Sequence, residues 1–157
     1  MIAEAHLQSV CCDLVAEVAR QHGKVQLRVA GASMVPALWP GDTVTIRQCD
    51  LAELNPNSII VFRQSERLIV HRLVHRTGHQ VVARGDARPF FDDPVDASEV
   101  IGQVESIERD GRAVSANFSF WKRMIAAILR RSERFTMLYL RVGSRIRRTS
   151  IPDAIAG

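Results

Sequence analysis

Apolar positions repeat along this chain with two different periods. From about Ala3 to His22 they fall at Leu7, Val10, Cys11, Leu14, Val15 and Val18, close to a 3.6-residue spacing, and Gly23 follows as a stop. That pattern predicts an amphipathic helix. Beyond it the chain breaks into short β-rich runs. Val25–Ala30 and Asp42–Arg47 alternate, Ser58–Phe62, Leu68–Val74 and Gln80–Ala83 are apolar runs, and Val100–Ile107 closes the series. Turn residues separate them: Pro40-Gly41-Asp42, Asn55-Pro56-Asn57, Gly78, Gly85-Asp86 and Asp93-Pro94. Six or seven short strands joined by turns predict an antiparallel, coiled sheet.

A second helical face runs through about Phe120–Arg147, with apolar Trp121, Met124, Ile125, Ile128, Leu129, Phe135, Leu138 and Tyr139 and a break near Ser132. The expected fold class is therefore α+β. Residues 1–24 form an N-terminal helix, 25–110 a mainly antiparallel β domain, and 111–157 a basic amphipathic helical segment and tail. No internal repeat is visible.

Charge sharpens this division. The net charge of +4 is unevenly spread: nine basic and two acidic residues lie between Phe120 and Gly157, against twelve basic and fifteen acidic in the rest. With 46% hydrophobic and 24% charged residues, the 157-residue chain can bury a core, which excludes a disordered tail or a disulfide-stapled miniprotein. The longest uncharged stretch, Val29–Gly41, has 13 residues and is broken by Gly31, Pro36 and Pro40, too short for a spanning helix. The N-terminus carries Glu4 and Asp13 and no basic region ahead of an apolar core, so no secretory signal is expected. Three cysteines, Cys11, Cys12 and Cys49, give no disulfide framework and suit a reducing compartment. The expected location is cytoplasmic, with peripheral contact at the inner membrane surface as an option for the basic helix.

The segment Gly31-Ala32-Ser33-Met34-Val35-Pro36-Ala37-Leu38-Trp39-Pro40-Gly41-Asp42-Thr43-Val44 carries the candidate chemistry. A serine on a short loop between two strands can present its hydroxyl outward, with backbone N–H groups turned to the same point. Taken alone, it is equally a turn. A serine hydroxyl becomes a nucleophile when a base takes its proton, and a histidine oriented by a carboxylate is such a base. His71 follows in Ile69-Val70-His71-Arg72, and Asp86, Asp92 and Asp93 come after it.

These segments resemble the signal peptidase and LexA-like superfamily of serine peptidases. GASMVPALWPGDTV is similar to the type I signal peptidase signature Gly-x-Ser-Met-x-Pro-x-Leu-x-x-Gly-Asp. IVHR, followed by ARGDA and FDDPV, resembles the archaeal and endoplasmic-reticulum branch, which has a histidine where bacterial enzymes have a lysine base, and VIGQV resembles the strand that closes those domains. The resemblance covers about Val25–Ile107. It implies Ser33 as nucleophile, His71 as general base and one of Asp86, Asp92 and Asp93 as third member, Asp93 being favoured and Asp86 structural or supporting. It also implies that Gly31, Met34 and Pro36 shape the substrate site, and that no cofactor is needed. The expected activity is a serine endopeptidase cleaving after small residues in a leader or precursor peptide.

Two departures stand out. The hydroxyl residue usual two positions before the nucleophile is Gly31 here, and no anchor helix is expected ahead of the domain. Gly31 motivates an alternative, a weakly active or non-catalytic peptide-binding module. A LexA-like self-cleaving regulator is a third reading, against which stands the lack of any lysine between Val25 and Trp121. His71, His75 and His79 are spaced by four, but in a strand and hairpin rather than on a helix face, so no metal site is expected. The basic C-terminal helix packs on the body, lies on a membrane surface or docks a partner. Nucleic acid is not expected, because a helix-turn-helix would not fit before Val25. The tail Asp153-Ala154-Ile155-Ala156-Gly157 has the small-x-small form such peptidases accept and is a candidate self-site.

Overall fold

A computed structural model describes residues 2–115. One α-helix, eight strands and two single-turn 3-10 helices, Leu51–Glu53 and Ala97–Glu99, lie in these residues, an α+β fold with a curled antiparallel sheet. The expected C-terminal helix and the tail lie outside the described residues.

The periodic N-terminal segment forms α1, Ile2–His22, ended by Gly23 at a φ of 71°. Its buried stripe overlaps the one the sequence pattern marks only in part, at Val15 and Val18. Cys12 and Ala19 are buried and Val15 is half-buried, while Val10 and Leu14 face solvent at 50% and 60% exposure. The helix lies on the sheet along a narrow line, so only residues three to four apart reach the core. Polar ties fix it: the Cys12 thiol donates to the Glu66 carbonyl, and Arg63 bridges Asp13 and Glu99.

The strands are β1 (Lys24–Arg28), β2 (Thr43–Arg47), β3 (Ile59–Gln64), β4 (Arg67–Thr77), β5 (Gln80–Arg84), β6 (Val95–Asp96), β7 (Val100–Arg109) and β8 (Arg112–Val114). Spatial order is β1-β2-β7-β3-β4-β5-β6, with β8 paired to the end of β7. Every pairing is antiparallel. All the runs read from the sequence correspond to strands. The two strands it missed, β6 and β8, have two and three residues, too few to show a period.

β3 reads as a continuous apolar run because both its faces are covered. Ile59 and Val61 join Met34, Leu38, Val44, Ile46, Val104 and Ile107 in one core, whereas Ile60 and Phe62 join Leu54, Leu73, Val81, Ala83 and Val95 in another. β7 crosses the sheet between β2 and β3 and breaks register on both sides. Its Gly102 passes the Arg47 carbonyl so closely that a Cβ there would stand 2.3 Å from the oxygen, which explains the glycine in Val100-Ile101-Gly102-Gln103-Val104. Among the described residues no helix is long and apolar enough to cross a membrane.

Candidate active site

The loop between β1 and β2 holds Ser33, and its apolar residues anchor it. Met34, Val35, Ala37 and Leu38 are each at most 4% exposed, and backbone bonds from Val35 to Ala32 and from Leu38 to Met34 wind the segment tightly. Asp42 closes it. Fully buried, it accepts from the Trp39 backbone N–H at 2.7 Å and takes a two-pronged ion pair from Arg109 on β7. The Pro-Gly-Asp of the motif is thus a brace on the loop that carries the serine.

His71 sits in the middle of β4, directly opposite Ile60 on β3, and its ring meets the edge of Phe62. It is 6% exposed. Its Nε2 lies 2.9 Å from Ser33 Oγ and its Nδ1 lies 2.5 Å from Asp92 Oδ2. A carboxylate only accepts, so this contact selects the tautomer with the proton on Nδ1 and leaves Nε2 to accept from the Ser33 hydroxyl.

The sequence leaves Asp86, Asp92 and Asp93 open for this place and favours Asp93. The structure puts Asp92 there and leaves Asp93 exposed. The reason is the path of the chain: the Asp92 N–H donates to the Ala83 carbonyl at the end of β5, which turns the Asp92 side chain inward. Asp86 has a separate job. Buried, it receives Nε and Nη2 of Arg72, both at 2.8 Å, while Arg72 also donates to the Asn57 carbonyl. The residue after the histidine is thereby tied to the loop that follows β5. That loop in turn grips the serine, because Ala87 N–H donates to the Ser33 carbonyl at 2.8 Å. Gly85 fits there only without a side chain: a Cβ would stand 2.7 Å from the Ser33 carbonyl oxygen and 3.0 Å from His71 Nε2.

A cleft of about 500 Å³ opens at the serine. Gly31, Ser33, Met34, His71 and Asp92 line it, with apolar Leu27, Val29, Leu68 and Val70 along its length. Pro36 is buried inside the loop and does not line it. Two strand edges flank the cleft. Among the described residues β1 pairs only with β2, and the first half of β4, Arg67–His71, pairs only with β3, since β5 joins β4 from Arg72 onward. His75 and His79 lie exposed at the β4–β5 hairpin, where Gly78 takes the positive φ of the turn, away from His71. Among the described residues no three His, Cys, Asp or Glu side chains gather as a metal site.

Comparison with curated proteins returns no match. Residues 3–104 do match a family of serine peptidases, over a span that holds α1, the serine loop, the histidine strand and Asp92. By that match, which covers well over half of its length, the chain belongs to the Peptidase S24-like family.

Proposed function

We propose that this protein is a serine endopeptidase that cleaves after a small residue in a leader or precursor peptide. The observation that carries this reading is the chain of contacts from Ser33 Oγ to His71 Nε2 and from His71 Nδ1 to Asp92. Nε2 takes the serine proton as Oγ attacks the scissile carbonyl, and the resulting imidazolium is held by the Asp92 carboxylate. The same proton then goes to the leaving amine, and water releases the acyl group by the reverse route. The Ser33 backbone N–H is the donor we assign to the developing oxyanion, with Gly31 supplying no hydroxyl to help it. The substrate enters as an extended strand between the edges of β1 and β4 that take no further strand among the described residues, where main-chain bonds hold it in register.

Intramolecular cleavage of the LexA type is the neighbouring reading. What weighs against it is the base: that mechanism uses a lysine, and the lysine of the described residues, Lys24, pairs with Glu105 away from the cleft lining. The test is digestion of a peptide library by folded wild type, Ser33→Ala and His71→Ala, with a fluorophosphonate label alongside. Cuts after Ala or Gly that disappear in both variants, and labelling that needs Ser33, are expected. Cleavage that survives Ser33→Ala, or a folded wild type that neither cuts nor takes the label, would remove the peptidase reading.

A further inference from the structure

The cleft leading away from Ser33 is one-sided in charge. Arg28 on β1, Arg67 at the start of β4 and Arg88 beyond β5 line it, and the acid among its lining residues, Asp92, lies on the imidazole. All three arginines are exposed. Among the described residues they make no ion pair, whereas Arg47, Arg63, Arg72 and Arg109 each hold a carboxylate. Residues 1–119 carry twelve basic and fifteen acidic side chains, so a cationic groove runs against the average charge of the body around it.

The arginines are also graded along the groove. The Arg88 side chain passes Gly85, beside the Ser33 carbonyl and His71 Nε2, at the reacting end. Arg67 precedes His71 by four residues on the same strand, and Arg28 precedes Ser33 by five. A strand advances about 3.3 Å per residue, which places Arg67 about 13 Å from His71 along β4, while Arg28 is the last residue of β1, ahead of the serine loop. An extended peptide in the groove advances at the same rate.

Resting on the peptidase reading, we propose that the substrate is an acidic peptide with a carboxylate about four residues from the scissile bond, received by Arg28 and Arg67. Each exposed ion pair contributes a few-fold in affinity, so two together give about tenfold discrimination, which high salt removes.

The chain's own Asp153-Ala154-Ile155-Ala156-Gly157 has this spacing, with an aspartate as the fourth residue before the bond after Ala156, and supplies a probe. A labelled peptide spanning Ser150–Gly157 is titrated against Ser33→Ala protein, beside the same peptide carrying Asp153→Asn and versions with the aspartate moved along it. The Asp153 peptide should bind about tenfold tighter than its Asn form at about 0.1 M salt and equally at about 1 M. The ratio should fall to near one in Arg28→Gln/Arg67→Gln protein. Equal binding of the two peptides, no binding of either, or a ratio that survives the double variant would overturn the proposal. Binding to phosphatidylglycerol vesicles that depends on Arg28 and Arg67, without peptide discrimination, would assign the arginines to lipid and overturn it as well. Cleavage by wild type is read separately. Neutral and acidic peptides cut equally well would sink the charge preference alone, while charge-selective binding without any cutting would sink the peptidase reading alone.

Discussion

Asp92 Oδ2 and Ser33 Oγ approach His71 from opposite edges of the ring, at 2.5 Å from Nδ1 and 2.9 Å from Nε2. Both contacts are made at once, so the imidazole has one orientation and one tautomer available to it.

Asp92→Asn keeps the shape of this contact but replaces an acceptor-only group with an amide that can donate to Nδ1. The ring then prefers the wrong tautomer. We expect kcat to fall by about 10⁴ while KM changes little. Exposed Asp93→Asn should stay within about threefold of wild type. Steady-state kinetics on one peptide compare the two, and similar losses in both would dissociate catalysis from the contact geometry.

How legible was this in the sequence? The pairing of Ser33 with His71, 2.9 Å apart, was, because each lies inside a run of distinctive residues that resembles a family motif. The acid was not, because Asp92 and Asp93 are adjacent and identical in type. What separates them is the bond from the Asp92 N–H to the Ala83 carbonyl, a tertiary fact with no local signature. The strands were legible wherever they ran five residues or more. The helix face was misread in part, for a different reason: Val10 and Leu14 continue the apolar period, yet the sheet offers only a narrow line to pack on, and Cys12 and Ala19 take it. The arginines of the cleft were invisible as a group, since Arg28, Arg67 and Arg88 come together only through the pairing of β1, β2, β7, β3 and β4.

Gly31 lies in open space, where an added Cβ would meet nothing within 4 Å. A side chain therefore fits, and on the peptidase reading a hydroxyl there is expected to add a donor beside the Ser33 N–H. Gly31→Ser should raise kcat by about 10-fold or more, up to the roughly 10²–10³ that one such donor can contribute. Gly31→Ala, which adds the Cβ without the donor, should give no gain. Parallel kcat measurements decide it; equal behaviour of the two variants would place the missing donor elsewhere.

Gly85 is the opposite case. In Gly85→Ala the methyl group must displace the Ser33 carbonyl or the imidazole, and the bond from Ala87 N–H to Ser33 is strained with them. A shift of about 1 Å between reacting groups is worth about 10² in rate, so kcat should drop by that order while the fold survives. Circular dichroism verifies folding, and activity near wild type would show the loop to be slack.

The cysteines give a prediction independent of catalysis. Cys11 is exposed, while burial pushes the Cys12 and Cys49 thiols up from their ordinary value. A raised thiol pKa leaves less thiolate at neutral pH, and thiolate is the form that alkylates. Iodoacetamide at pH 7.5 should modify Cys11 first, with Cys49 catching up as pH rises and Cys12 shielded by the fold. Peptide mapping by mass spectrometry reads the order; early loss of Cys12 would mean that α1 detaches readily.

The central position of β7 has a consequence in time. β1 and β2 form one hairpin unit, carrying the serine, and β3 to β6 form another, carrying the histidine and Asp92. No strand of the first pairs with a strand of the second; β7 pairs with β2 on one side and β3 on the other. It is also translated after both. A ribosome that has released the first 99 residues has therefore made Ser33, His71 and Asp92 and still lacks the strand that joins their two units. On the peptidase reading, the nascent chain is expected to stay inert until residue 109 is free and to gain activity in a single late step.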